Sequence, residues 1–225
     1  LKTQRTKTRS EIKTTKTIQQ PEIAIQKKTL PSFNLKLWFE VLVKPTETIT
    51  RERSNPNWRN ALLNTTLSGL ASGFIIGATL LTLILFQPSA LESEASLLPS
   101  NPLAAILSTL ALLPLIWTAL ILASSFINTL IFWAFSKLFN GKGAYLTQYY
   151  LTSIYSAPVN IIASIITLTP LVFSLALLLI LILYTLYALF ITLKTTHEYS
   201  NLNTALSITT PFIILLITLS LLVIL

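Results

Sequence analysis

The chain contains no cysteine, no aspartate and no methionine, and a single histidine, His197. Without Cys there is no disulfide framework, thiolate nucleophile, iron–sulfur cluster or cysteine zinc site. Without Asp, the aspartyl dyad, the aspartyl-phosphate intermediate and the Asp-held magnesium site fall away. A lone His cannot build a multi-histidine metal centre, and no cofactor is expected. Charge is scarce as well: charged residues make up 11% of the 225 positions, against about 25% in a typical soluble domain. What is abundant is hydrocarbon, with 52% apolar residues and a mean hydropathy of +0.69. An ordinary water-soluble globule does not have this composition.

The formal net charge is +8, and every acid is Glu. Residues 1–60 hold thirteen Lys/Arg and five Glu, while residues 61–225 hold three Lys and three Glu. The chain opens on Leu1 and has no Met, so its start reads as non-standard, processed or incomplete. Leu1 to Gln20 is basic and polar with no apolar h-region, unlike a secretory signal peptide. Insertion into a membrane is therefore expected to be driven by internal segments.

Uncharged stretches run 60–91, 95–136, 143–193 and 199–225. About 20 apolar residues span a bilayer core. The third stretch divides at Pro170, which cannot continue a helix. The expected spans are 62–86, 103–135, 144–168, 171–193 and 204–225. Backbone in hydrocarbon must satisfy its own hydrogen bonds, and continuous blocks such as Leu177–Leu183 lack the alternation of a barrel strand. The fold class is thus an all-α membrane protein, a five-transmembrane-helix bundle with a short cytosolic amphipathic helix. Span two is too long for the hydrocarbon layer and is expected to tilt, kink near Pro114, or project beyond it.

Orientation follows from the basic residues. With the N-terminus cytosolic, the inner segments 1–60, 136–143 and 194–203 carry all sixteen Lys/Arg. The outer loops and C-terminal end carry none, and the first outer loop has Glu92 and Glu94 instead. The C-terminus is then outside, as the positive-inside rule requires. Residues 1–32 are read as a disordered basic cytosolic tail that buries too little surface to repay its ordering. Residues 33–59 are read as interfacial amphipathic helices, with Leu35, Trp38, Phe39 and Leu42 on one face and Pro45 opening a second helix. Trp133, Tyr145, Tyr149 and Tyr150 are expected as inner aromatic-belt anchors.

Each residue that suggests chemistry has a plainer reading beside it. Gly69, Gly73 and Gly77 lie on one face of span one. They are expected to pack against another span of the same chain, with a homo-oligomer seam as the alternative. Asn128 and Asn160 are read as interhelical glue, or else as the border of a polar pathway. Pro114, Pro158 and Pro211 are read as structural kinks, with Thr209 and Thr210 helping to satisfy the carbonyls that Pro211 frees. Gly141 and Gly143 are expected to supply positive φ in a tight turn. His197 beside Glu198 offers a base or ligand, but a loop histidine meeting a partner or solvent is the expected role. Ser200 and Asn203 are candidate caps for the last span. The basic tail lacks the aromatics of a nucleic-acid surface and is expected to meet anionic headgroups, not nucleic acid.

The segment Lys137 to Pro158 (Lys-Leu-Phe-Asn-Gly-Lys-Gly-Ala-Tyr-Leu-Thr-Gln-Tyr-Tyr-Leu-Thr-Ser-Ile-Tyr-Ser-Ala-Pro) resembles the middle of the Yip family, the Ypt/Rab-interacting protein domain. Lys44-Pro45-Thr46-Glu47-Thr48-Ile49 is similar to its juxtamembrane segment. Tyr184 to Ala205, with Tyr187, Lys194, His197 and Ser200, is similar to its fourth span and following loop, and Pro211 falls where members carry a Pro. The resemblance covers roughly 35–225. It implies a non-enzymatic multi-pass scaffold or membrane-organising, trafficking-type protein that works through protein or lipid contacts. Its partner-facing inner loops would carry Lys137, Gly141, Lys142, Gly143, Lys194, His197 and Ser200. The Asp-Leu-Tyr-Gly-Pro-like motif of eukaryotic relatives is absent, which places the chain beside archaeal-type members, in a cell membrane; the endoplasmic reticulum or Golgi would be the site in a eukaryote. The alternative is a permease or channel component for a small solute. A reporter fused after Leu225 is expected to read outside; a cytosolic signal would overturn the five-span count.

Overall fold

The structure, a computed structural model, describes residues 34–86 and 102–224. The expected basic tail 1–32 and the loop holding Glu92 and Glu94 lie outside the described residues. Seven helices follow one another: α1 (Leu35–Val43), α2 (Pro45–Glu52), α3 (Trp58–Phe86), α4 (Pro102–Leu138), α5 (Tyr145–Ile166), α6 (Leu171–His197) and α7 (Asn201–Ile224). Among the described residues there is no strand. The last five helices are each long and apolar enough to cross a membrane. Helix α4, with 37 residues, is about 56 Å long at 1.5 Å per residue, so it exceeds a hydrocarbon layer of about 30 Å.

Helix boundaries have local causes. Asn34 caps α1 by accepting the Leu37 N–H at 3.2 Å. Pro45 restricts Lys44 to non-helical backbone and then opens α2 with the φ a first turn needs. Asn57 accepts the N–H groups of Arg59 and Asn60 and so starts α3. Pro170 separates α5 from α6, as its missing N–H requires. Ser200 caps α7 by accepting the Asn203 N–H at 3.3 Å. Helices α4, α5 and α7 run on through Pro114, Pro158 and Pro211. The Thr209 and Thr210 hydroxyls donate to Ala205 and Leu206. The carbonyl that Pro211 deprives is that of Ser207, so these two threonines do not replace the lost bond.

Helix α5 is the buried axis of the bundle, with Tyr149, Leu151, Ile154 and Ala157 fully enclosed. Helices α3, α4 and α6 pack against it and α7 packs on α4 and α6, while α4, α6 and α7 leave broad apolar surfaces exposed, such as Leu171, Val172 and Phe173 on α6. In water such surface would be a liability; in lipid it is the ordinary outer wall.

The glycine stripe of α3 faces α4. A methyl group on Gly73 would lie 2.5 Å from Pro114 Cα, and one on Gly69 would lie 2.8 Å from Thr118 Cα. The alternative of a homo-oligomer seam at these glycines is therefore corrected: α4 already covers them, backbone to backbone. Two further expectations change. Tyr149 and Tyr150 are not belt anchors, since both turn into the core, where Tyr149 stacks on Phe126 at 4.6 Å. On α1, Leu37, Trp38 and Val41 are buried, while Leu35 and Phe39 remain exposed. The helix is apolar on both sides, and tertiary packing chose the other one.

Space around the stripe predicts a graded response. Gly73→Ala overpacks the α3–α4 crossing, at a cost of about 1–3 kcal/mol. At Gly77 the nearest atom to an added methyl is 3.5 Å away, so Gly77→Ala is neutral or stabilising through helix propensity. Thermal unfolding of the two variants in detergent, followed by size-exclusion recovery, checks the order.

Candidate functional site

At the end of the bundle that carries Lys137, Lys142 and Lys194, two loops meet. One joins α4 to α5 and the other joins α6 to α7. Helix α4 ends with Asn140 at φ 63°, and the Gly141 N–H returns to the Ser136 carbonyl at 3.0 Å. This is the left-handed helix stop that Asn tolerates. The expected positive φ therefore falls on Asn140, and neither glycine has one. The glycines serve close approach instead. A methyl on Gly141 would collide with the Tyr199 hydroxyl and with His197 Nδ1. One on Gly143 would lie 2.5 Å from Thr196 Cγ2 and 2.6 Å from the Thr196 carbonyl oxygen.

His197 fills the space the glycines leave. It is 1% exposed, which overturns its reading as a loop residue open to solvent or a partner. The Gly143 N–H donates to its Nδ1 at 3.2 Å. An accepting Nδ1 assigns the ring proton to Nε2, which donates to Gln148 Oε1 at 2.9 Å. Gln148 Nε2 in turn donates to the Thr129 carbonyl at 3.3 Å. The chain Gly143–His197–Gln148–Thr129 thus ties the α4–α5 loop, α6, α5 and α4 together. Tyr199 stacks on the imidazole and donates its hydroxyl to the Ser136 carbonyl. Glu198 is no partner for the imidazole. Its carboxylate pairs with Arg53 at 2.6 Å, and that hydrogen bond holds the carboxyl below its ordinary range. The His–Glu base or ligand reading is corrected accordingly.

The loop residues expected to face a partner divide into two sets. Gly141, Gly143 and His197 are buried and hold the junction, so their reading as partner-facing is also corrected. Lys137, Lys142, Lys194 and Ser200 are exposed. Lys137 donates to the Gly141 carbonyl at 2.9 Å and lies over the Trp133 ring, while Ser200 is the α7 cap. Lys142 and Lys194 have no ion-pair partner among the described residues.

Helices α1 and α2 dock on this half of the bundle through polar contacts that hydropathy does not reveal. Trp38 Nε1 donates to Asn64 Oδ1 at 3.2 Å. The Tyr184 hydroxyl donates to the Val41 carbonyl at 2.8 Å, and Tyr187 shares a hydrogen bond with Thr46 at 3.0 Å. The Tyr150 hydroxyl donates to Glu52 at 2.9 Å. Arg51 also reaches back to Glu40 at 2.6 Å, clamping α2 to α1. Two tyrosines three residues apart in the otherwise aliphatic α6 were the available signal for this docking. Gln148 offered a similar one, as a lone amide among aromatics.

Farther along the bundle, α4, α5, α6 and α7 border a cavity of about 710 Å³ that is open on one side. Asn128, Asn160 and Pro211, which lie far apart in sequence, all border it. Asn160 acts partly as interhelical glue, through a 3.4 Å hydrogen bond to Ser68 on α3. Asn128 does not: among the described residues its amide has no hydrogen bond to the protein, against the expectation.

An all-helical chain with five bilayer-length apolar helices, a polar clasp at one end and lipid-type outer walls is a multi-span membrane protein. The family model described as "Yip1 domain" matches residues 39–222, most of the chain, and the chain belongs to that family. No curated protein and no solved structure matches it.

The clasp predicts two outcomes. His197→Ala leaves the Gly143 N–H and Gln148 Oε1 buried without partners, at about 1–3 kcal/mol each. Gly143→Ala forces the loops apart with comparable loss, whereas Lys142→Ala leaves the melting temperature unchanged. Unfolding in detergent, monitored by tryptophan fluorescence, distinguishes them.

Proposed function

We propose that the chain is a non-enzymatic scaffold or membrane-organising protein that works through protein or lipid contacts at its cytosolic face. In this reading the N-terminus is cytosolic and the C-terminus outside, because that orientation puts all sixteen Lys/Arg inside. The membrane is the cell membrane, or that of the endoplasmic reticulum or Golgi in a eukaryotic host.

The observation that carries this reading is the division of labour at the two loops. Buried Gly141, Gly143 and His197 make a rigid base. Lys142 and Lys194 are held on its surface without ion-pair partners among the described residues. A preorganised pair of cations suits an acidic protein surface or anionic headgroups, at about 1 kcal/mol per Lys near a charged bilayer. Docked helices α1 and α2 extend the same face, with Leu35, Phe39 and Val43 exposed beside Lys36 and Lys44. That pattern supports contact with the headgroup layer.

A second reading, a small-solute permease component, is favoured by one observation: Asn128, Asn160 and Pro211 border a single cavity. Cross-linking in native membranes followed by pull-down tests the first reading. Lys142→Glu combined with Lys194→Glu is expected to lose a partner, or anionic-lipid retention, that the wild-type chain captures. Reconstituted vesicles test the second: solute-specific flux abolished by Asn128→Leu or Asn160→Leu would sink the scaffold reading.

A further inference from the structure

We propose that the cavity between α4, α5, α6 and α7 is a binding site for an uncharged amphiphile: a hydrocarbon chain with a hydroxyl head, taken from the surrounding lipid. The proposal deepens the lipid-contact side of the reading above and rests on its placement of the bundle in a membrane.

The wall decides the class of ligand. Among the described residues that line it, none is Lys, Arg, Glu or His. A charged headgroup brought inside would meet no counter-charge, in surroundings where an unpaired ion is strongly disfavoured. Most of the wall is apolar, with Phe132 and Phe135 from α4, Leu189 from α6, and Phe212 and Leu215 from α7. Its volume, about 710 Å³, is that of a small-molecule site rather than a packing defect.

Polar capacity inside the cavity is uncommitted, and this sets the head. The Asn128 amide, with two donors and an accepting oxygen, has no protein partner among the described residues. The side-chain oxygen of Asn160 is also unused, because its one hydrogen bond runs from Nδ2 to Ser68. Thr129, 2% exposed, lines the cavity and has a buried hydroxyl without a partner among the described residues. By contrast, the hydroxyls of Ser124, Thr185 and Thr218 donate to carbonyls of their own helices. They keep lone pairs for an incoming O–H. A head that both donates and accepts, and carries no charge, matches this set.

Depth argues for a lipid occupant over a solute. Asn128 lies ten residues from Leu138, the end of α4, and Asn160 lies fifteen from Tyr145, the start of α5. At 1.5 Å per residue these are about 15 and 22 Å, well inside a hydrocarbon layer of about 30 Å. Amides at that depth, Asn128 exposed on the groove and Asn160 half-buried, favour a polar partner over hydrocarbon, and the apolar wall beside them offers the chain a place to lie.

The test uses the purified full-length protein in nanodiscs and three photoactivatable probes of equal chain length. They are a diazirine-bearing hexadecanol, the matching palmitic acid, and a phosphatidylcholine carrying the same chain. The alcohol is expected to label α4, α5 and α7 peptides that line the cavity, saturably and in competition with unlabelled hexadecanol. Asn128→Leu, which removes no hydrogen bond within the described residues, is expected to cut that labelling by about tenfold without altering the melting temperature, the equivalent of losing one hydrogen bond to the head. Equal labelling by all three probes, or labelling indifferent to the substitution, would overturn the proposal.

The absence of native Cys permits a second measurement. Asn128→Cys supplies the one thiol in the chain. Protection from a water-soluble methanethiosulfonate reagent supports a lipid-filled cavity. Rapid modification means an aqueous one and rejects the amphiphile. Failure of the cytosolic partner reading would leave these results untouched, because Lys142 and Lys194 lie outside the cavity wall.

Discussion

In hydrocarbon a polar group has no water to turn to, so each one must find its partner within the protein. The backbone meets that demand by forming helices throughout the described residues. Hydroxyls meet it locally, as Thr65, Ser164, Thr185 and Ser220 donate to carbonyls four residues back. Larger polar side chains need tertiary help. His197, Gln148 and the Thr129 carbonyl form one relay, and Trp38 with Asn64 forms another. Demand also goes unmet among the described residues, at Ser72, Trp117, Thr192 and Ser207 for example, and at Asn128 and the Thr129 hydroxyl the unpartnered groups line one cavity. Satisfied groups hold the bundle together.

Glycine is used for nearness at both ends of this design. On α3 it lets the backbone of α4 come within contact of Gly69 and Gly73. In the α4–α5 loop it lets His197, Tyr199 and Thr196 lie directly against main chain. Lys142 of this Yip1-domain chain is thereby carried between two glycines whose main chain is packed against α6.

Much was legible along the chain because lipid imposes simple rules. The five long apolar helices came from apolar length, the α5–α6 division from Pro170, and the packing role of Gly69, Gly73 and Gly77 from their spacing. The site was less legible. His197 reads as a loop residue because it stands beside Lys194 and Glu198, and nothing local says that two glycines fifty residues earlier have cleared a space for it. Tyr149 and Tyr150 carry the composition of an interface belt, yet α1 and the bundle interior claim them. Asn128 and Asn160 look alike in sequence, and only one of them has a helix within reach.

The sequence by itself determined the class of protein and its elements: apolar runs of bilayer length, with Pro and Asn at their ends, leave the backbone one solution. It also determined the uneven distribution of charge, on which any sidedness must rest. Tertiary structure alone decided which face of α1 is buried, which glycines tolerate a methyl, that His197 is enclosed, and that Asn128, Asn160 and Pro211 share a cavity. The physical reason is range. Hydropathy and backbone hydrogen bonding act within a turn or two of helix, whereas burial and hydrogen-bond satisfaction depend on neighbours supplied from other helices.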